Sequence, residues 1–217
     1  MKIAILTANL GDFDENIDPV KQDSEHEIKF HRWTDDDFPP IAGLTPRLQY
    51  RIPKLFGWEM FQGYDIYVWM DASFTLSHPD SVNWLLEKLG DKDAAFFKHP
   101  QRKTIKEEVD HVEKKLKEKH PYMVPRYENG LHKEMYKRVK DDEWYEDNVL
   151  YTSTAFIYRN NTKVQNAMEM WWYFQSRYFT VDQISQPYVM WLQDVSINLI
   201  EEDQYKCDYL QLVSKHK

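Results

Sequence analysis

YDIYVWMDASFTL, residues 64–76, is the stretch from which the rest of the chain is read. Ile66 to Met70 is an unbroken apolar run of strand length, and Asp71-Ala72-Ser73 follows with no spacer. A run rich in Ile, Val, Tyr and Trp, without polar alternation, predicts a strand covered on both faces, as in the centre of a parallel or mixed sheet. In open α/β sheets, ligands bind beyond the carboxyl ends of the central strands. Asp71 is therefore expected at a ligand edge, although an Asp at a strand end also commonly serves only to close a turn.

Upstream, Lys2 to Leu6 (KIAIL) predicts a first buried strand that breaks into Thr7-Ala8-Asn9, the way nucleotide-binding α/β domains often open. Neither Gly-x-Gly-x-x-Gly nor Gly-x-x-x-x-Gly-Lys-Ser/Thr occurs, so any phosphate must be met by side-chain cations. Glu27 to Trp33 alternates polar and apolar residues as a second strand. Asp35, Asp36 and Asp37 follow it; three carboxylates adjacent in sequence do not converge on one point and are read as a turn. Thr45-Pro46 is a helix start, and Leu48, Ile52, Leu55, Trp58 and Met60 continue it at near-helical spacing. Pro53 predicts a kink or two short helices. Arg47, Arg51 and Lys54 gather on this segment, either as an ordinary basic face or as cations able to reach phosphates beside Asp71.

Downstream, Ser81 to Leu89 predicts a helix stopped by Gly90, and Ala94 to Lys98 a strand leading into His99 and Arg102 on the same expected edge. Lys103 to Lys119 is amphipathic, with Asp110/Lys114 and Glu113/Lys117 spaced for i,i+4 pairs. Residues 120–148 are polar, Tyr-rich and broken by Pro121, Pro125 and Gly130, and are expected to be a long loop or lid. Val149 to Arg159 predicts a strand with a small polar interruption, Thr152-Ser153-Thr154; Thr162 to about Tyr178 predicts a helix. Asp182-Gln183 leads into a last helix holding Val189, Trp191 and Leu192, and the tail from Glu201 is weakly patterned.

Composition narrows the function classes. With 28 Lys plus Arg against 36 Asp plus Glu, the net charge of −8 argues against nucleic acid as a partner. The single cysteine, Cys207, allows no intrachain disulfide and fits a reducing compartment. No apolar stretch is long enough to span a membrane, and no secretory signal opens the chain, so a cytoplasmic location is expected. The 217 residues suffice for one domain with its own core. Eight Trp and 14 Tyr suit a cleft that stacks sugars or bases, although core packing accounts for most such rings.

Thr7 to Asn9, the basic helix, Asp71-x-Ser73 and Asp182-Gln183 converge on one sheet edge, as glycosyl transfer from a metal-bound nucleoside diphosphate sugar would require. RIPKLFGWEMFQGYDIYVWMDAS, FFKHPQR, TSTAFIYRN followed by a Trp-rich helix, and VDQISQPYV together resemble GT-A-type hexosyltransferases of plants, bacteria and large viruses, chlorella viruses among them. The resemblance runs over roughly residues 1–195.

It implies a single GT-A-like (Rossmann-like) α/β domain over residues 1–217 with a mixed central sheet flanked by helices. It also implies a UDP-sugar donor, a glycan or glycoprotein acceptor, Mn²⁺ or Mg²⁺, transfer with retention and, for a viral chain, the host cytoplasm. Carried over, Asp182 and Gln183 face the donor sugar. Thr7, Ala8, Asn9, Arg47, Arg51, Lys54, Asp71, Ala72, Ser153, His99 and Arg102 line the donor site. Asp71 takes the first position of the Asp-x-Asp metal motif, but Ser73 stands at the third, and a hydroxyl is a weaker ligand than a carboxylate. Either Asp71 holds the metal with diphosphate and water, or a C-terminal group such as His216 completes the shell. The competing classes are a metal-dependent phosphohydrolase, which needs a second ligand near Asp71, and a non-catalytic sugar-binding module.

Overall fold

The computed structural model describes residues 1–213. In chain order the elements are β1 (Lys2–Asn9), β2 (Glu27–Thr34), α1 (Pro46–Met60), β3 (Ile66–Met70), β4 (Phe74–Leu76), α2 (Ser81–Leu89), β5 (Ala94–Lys98) and α3 (Ile105–Lys117). They continue with α4 (Val124–Tyr127), α5 (Leu131–Lys140), β6 (Tyr151–Arg159), α6 (Thr162–Tyr178), α7 (Asp182–Leu192), β7 (Ile197–Ile200) and β8 (Leu210–Leu212). Six strands form one sheet in the order β2-β1-β3-β6-β5-β7. β6 runs against both of its neighbours, β3 and β5, while β1 pairs parallel with β2 and β3, and β5 with β7. β4 and β8 form a separate antiparallel ribbon.

β3 is central and wholly buried, as its apolar run predicts. Its residues alternate between two cores. Tyr67 and Trp69 join Leu6 and Phe156 under α1, α6 and α7, whereas Ile66, Val68 and Met70 join Ile5 and Ile157 under α2 and the β4–β8 ribbon. Each large side chain so covered contributes about 1.5–3 kcal/mol relative to exposure. Two apolar layers on opposite sides of one strand explain why the run lacks polar alternation.

Helix α1 is one continuous helix despite Pro53, with Thr45 as its N-cap accepting from the Leu48 N–H at 3.2 Å. Gly57 sets its distance from the sheet: a Cβ there would lie 2.6 Å from Leu6 Cδ1 and 3.5 Å from the Trp33 ring. The first strand is longer than expected, so Thr7, Ala8 and Asn9 belong to β1 and are held by its ladder with β2.

Three expectations need correction. Residues 120–148 are not a long loop, because they contain α4 and α5, whose His132, Met135 and Val139 are buried. Asp147 then accepts from the backbone N–H groups of Ile105 and Lys106 at 2.6 and 2.9 Å, capping α3 with that same segment. The predicted pairs on α3 give way to others: Asp110 takes Lys106, and Glu113 takes His132 and Lys133 from α5, at 2.7 and 2.8 Å. A neighbouring helix offers Glu113 partners that an isolated helix lacks. The tail beyond Glu201, read as unpatterned, supplies β8, three residues long and defined only by its pairing with β4.

Candidate active site

On α1, Arg47, Arg51 and Lys54 stand four and three residues apart and so share one stripe, with Tyr50 beside them. The stripe looks onto the carboxyl ends of β1 and β3, where Ala8, Asn9, Leu10, Asp71 and Ala72 line a cleft of about 620 Å³. Arg47, Tyr50 and Arg51 form one wall together with Phe179 and Asp182. Phe13, Asp14, Thr45, Pro46, Tyr122, Pro125 and Arg126 complete the lining.

The floor is a network of buried charge. Lys54, 2% exposed, places Nζ 3.2 Å from Asp71 Oδ1 and 2.9 Å from Asp182 Oδ2. Arg51, equally buried, donates from Nε and Nη2 to Asp182 Oδ1 at 2.8 and 2.6 Å, and from Nη2 to the Thr180 carbonyl at 2.7 Å. Ser153 Oγ completes the shell of Asp182 at 3.3 Å. Burial alone would raise the Asp182 pKa, but Arg51, Lys54 and Arg47 overcome it and hold the carboxyl well below the usual carboxylate range. Asp182 is a fixed anion.

Asp71 lies at the end of β3, with its N–H on the Thr154 carbonyl at 2.7 Å and its own carbonyl accepting from Phe74 N–H. Its Oδ1 accepts from Tyr50, from Lys54 and from Trp69 Nε1 at 2.9 Å. Burial, and then the anionic Asp71 it donates to, push the Tyr50 phenol well up, so Tyr50 stays a donor. Among the described residues nothing donates to Oδ2, which leaves that oxygen for a ligand.

Arg47 donates through Nη2 to Tyr127, whose ring lies 4.8 Å from the guanidinium carbon. Its Nη1 and that of Arg51 are buried without a partner among the described residues, as is Thr7 Oγ1. Buried polar groups are normally satisfied, so two unfilled guanidinium donors beside a cleft point to an anionic ligand. Phe179 reaches the cleft from the end of α6 with φ 44°, a left-handed conformation unusual for a residue with a side chain, and its ring lies 5.9 Å from the Arg51 guanidinium.

The structure brings Ala8, Asn9, Arg47, Arg51, Asp71, Ala72 and Asp182 together at the cleft, with Lys54 and Ser153 supporting them from beneath. Asn9 acts on the adjoining loop, donating to Asn16 Oδ1 and the Asp14 carbonyl at 2.8 Å each. Gln183 follows Asp182 in the first turn of α7 and does not line the cleft. His99 and Arg102 are elsewhere: β6 separates the end of β5 from that of β3, and Arg102 is occupied by Glu108 and by His99 Nε2 at 2.7 Å. Sequence reading missed Tyr50, Phe13, Tyr122, Arg126 and Phe179. Only Tyr50 carried a usable signal, its place on the stripe of Arg47 and Lys54.

A divalent ion expected at Asp71 and Ser73 does not find a fitting donor set. Ser73 is 5% exposed, does not line the cleft, and leads directly into β4. Among the described residues no three His, Cys, Asp or Glu side chains converge to hold a metal. Mn²⁺ and Mg²⁺ take several hard oxygens, of which Asp71 Oδ2 would supply one and diphosphate and water the rest, so no protein-built set is present among the described residues. His216 lies outside the described residues.

The sequence model of a protein family described as TOD1/MUCI70, glycosyltransferase-like domain, matches residues 44–217. No curated protein matches the chain. Among solved structures, it is similar to a glycosyltransferase involved in the glycosylation of the major capsid of PBCV-1. The two share 9% identity, with 92% of this chain and 81% of that one covered and a TM-score of 0.46. Mouse xyloside xylosyltransferase 1, in its apo form, matches with 6% identity, 92% and 85% coverage and a TM-score of 0.47. The galactosyltransferase LgtC, solved with donor and acceptor sugar analogs, matches with 10% identity, 90% and 72% coverage and a TM-score of 0.42.

Proposed function

Since the chain belongs to the TOD1/MUCI70 glycosyltransferase-like family, we propose that it moves a hexosyl group from a UDP-sugar to a hydroxyl of a glycan or glycoprotein, with retention of anomeric configuration. The observation that carries this reading is the cleft floor, where Asp71 and Asp182 alternate with Lys54 and Arg51 and two guanidinium donors remain unfilled. Arg47 and Arg51 meet the diphosphate. Ala8 at the end of β1, with Leu10 and Phe13 beyond it, offers an apolar and aromatic surface to the nucleoside. Asp182 fixes the cations and presents its negative charge to the sugar side of the cleft.

The state of Asp182 supports retention. A general base must be free to take a proton. Asp182 is bound on both oxygens by cations and its pKa is held low, so it cannot serve as one at neutral pH. In the proposed step the bond between the anomeric carbon and the β-phosphate oxygen breaks, and the acceptor oxygen bonds to that carbon on the same face. The acceptor's proton passes to the departing phosphate oxygen. Asp182 stabilises positive charge on the sugar, while Arg47 and Arg51 stabilise negative charge on the leaving UDP. No step is assigned to a divalent ion. A phosphohydrolase would need a second free ligand near Asp71, and the nearby carboxylate, Asp182, is bound to Arg51 and Lys54.

The test is donor hydrolysis across a panel of nucleotide sugars, followed by NMR of the product formed with an acceptor. Turnover of a UDP-sugar to a product of unchanged anomeric form is expected. An inverted product refutes retention, and hydrolysis of none of the panel refutes the donor class.

A further inference from the structure

The two carboxylates of the cleft are held apart by a cation that belongs to the chain. Lys54 Nζ sits between Asp71 and Asp182 at 3.2 and 2.9 Å, and its side chain is 1% exposed. We propose that the nucleotide diphosphate is held without a divalent ion, with Lys54 as the resident cation between the carboxylates and Arg47 and Arg51 as the phosphate contacts. This rests on the donor reading above and concerns the same cleft.

Three observations carry it. First, the place from which one ion could engage both Asp71 and Asp182 is filled by the Lys54 ammonium, which is fixed by both carboxylates and covered by protein. A divalent cation brought there would meet that ammonium at short range in a poorly screened interior, where like charges repel strongly. Second, Arg51 is aligned rather than mobile. Nε and Nη2 are committed to Asp182 and the Thr180 carbonyl, so the one unpartnered nitrogen, Nη1, has a fixed position. Arg47 is aligned likewise through Tyr127, and its unpartnered Nη1 belongs to the preceding turn of α1. Side chains four residues apart on a helix start from Cβ atoms about 5–6 Å apart. Two guanidinium groups spaced so can share the oxygens of one diphosphate.

Third, the charge of the network has the right sign once Lys54 is counted. Lys54 and Arg51 offset Asp71 and Asp182, which leaves Arg47 in excess, and Arg126 on the rim stands against Asp14. The field at the unfilled donors is therefore positive before any ion arrives. Without Lys54 the same floor would be neutral, and Asp71 Oδ2 would need a bound cation to approach a diphosphate.

Calorimetry with UDP as the probe, on the full chain, tests this in EDTA and again in excess Mn²⁺. The affinities should agree within about two-fold. The manganese EPR spectrum should show no protein-bound Mn²⁺ when the protein–UDP complex is formed. Lys54→Met should weaken UDP binding in EDTA about ten-fold, and Mn²⁺ should restore it, because the ion can then occupy the vacated place. Lys54→Arg, which keeps the charge, should remain indifferent to Mn²⁺. If Lys54→Met does not fold, the wild-type comparison and the EPR spectrum still decide. UDP binding tightened ten-fold or so by Mn²⁺ in the wild type overturns the proposal and leaves the donor reading intact. No UDP binding in either buffer removes the donor reading, and this proposal with it.

Discussion

Two clusters of buried charge sit at the same edge of the sheet. At the carboxyl end of β3, Lys54 and Arg51 bind Asp71 and Asp182; at the carboxyl end of β5, Arg102 binds Glu108 beside His99. Both draw on a cationic side chain, a carboxylate and a strand end, and in sequence they look equally promising. They differ in what is left over. The first keeps two unpartnered guanidinium donors and one free carboxylate oxygen at a cleft, whereas Arg102 has Glu108, His99 and Gln101 around it. Burial of charge does not by itself mark a site. Unspent hydrogen-bonding capacity beside a cleft does.

The sharpest way to break this comparison is to neutralise one carboxylate in each cluster. Asp182→Asn leaves buried Arg51 without its carboxylate and Lys54 with Asp71 alone, and should destabilise the fold by about 3–5 kcal/mol in urea denaturation, with donor turnover lost. Glu108→Gln keeps a hydrogen-bond acceptor for the partly exposed Arg102 and should cost about 1–2 kcal/mol, with turnover per folded molecule unchanged. Equal losses of turnover would put both clusters in the site. Gly57→Ala acts on the first cluster alone, by bringing a Cβ to 2.6 Å from Leu6 Cδ1 beneath α1. About 1–3 kcal/mol of stability should go, and UDP affinity should fall with it; a variant of unchanged stability and affinity would show that α1 is not set by this contact.

A smaller effect separates the arginines. Arg47→Leu should weaken UDP binding by calorimetry about ten-fold, one lost charged contact, while Arg102→Leu leaves it unchanged. The smallest effect is one of pH, and it belongs to the second cluster. Burial, and then Arg102 and His111, lower the His99 pKa to about 4 from its ordinary 6.5. Between those values the unfolded chain binds a proton that the folded chain refuses, so stability falls as pH drops through that window and is level above it. His99→Gln should flatten the part of that slope that His111, itself lowered by burial and Arg102, does not supply. Urea midpoints measured at pH 7 and pH 5 decide it.

The α/β reading with a mixed central sheet was legible because the local signals agreed. Five consecutive apolar residues marked β3, Thr45-Pro46 marked the start of α1, and α6 runs from Thr162 to Tyr178 as its periodicity predicts. Elements whose existence depends on distant partners were not legible. β8 forms only against β4, and α5 is stabilised by contacts with α3, α6 and α7 while its own sequence is largely polar. At the site, the stripe of cations and Asp71 were readable from spacing. That His99 and Arg102 stand beyond β6 was not, because a strand's rank in the sheet is a property of long-range pairing. Phe179 was hidden for a similar reason, as its left-handed backbone belongs to the end of α6 and not to any composition signal.

The span of the Asp182 contacts bears on how the chain reaches this state. Arg51 and Asp182 are 131 residues apart, and Lys54 and Asp182 128, so their contacts close only after most of the chain has been gathered. Contacts at such separation bear heavy loop-closure entropy and tend to form late. The cleft floor should then be absent from the rate-limiting barrier, and weakening it should speed escape from the native state while leaving the approach to it nearly untouched. A chevron plot of Asp182→Asn would show a refolding limb lying over that of the wild type and an unfolding limb raised above it. On this view the ion network acts as a latch: it contributes little to finding the fold and much to how long the folded molecule lasts.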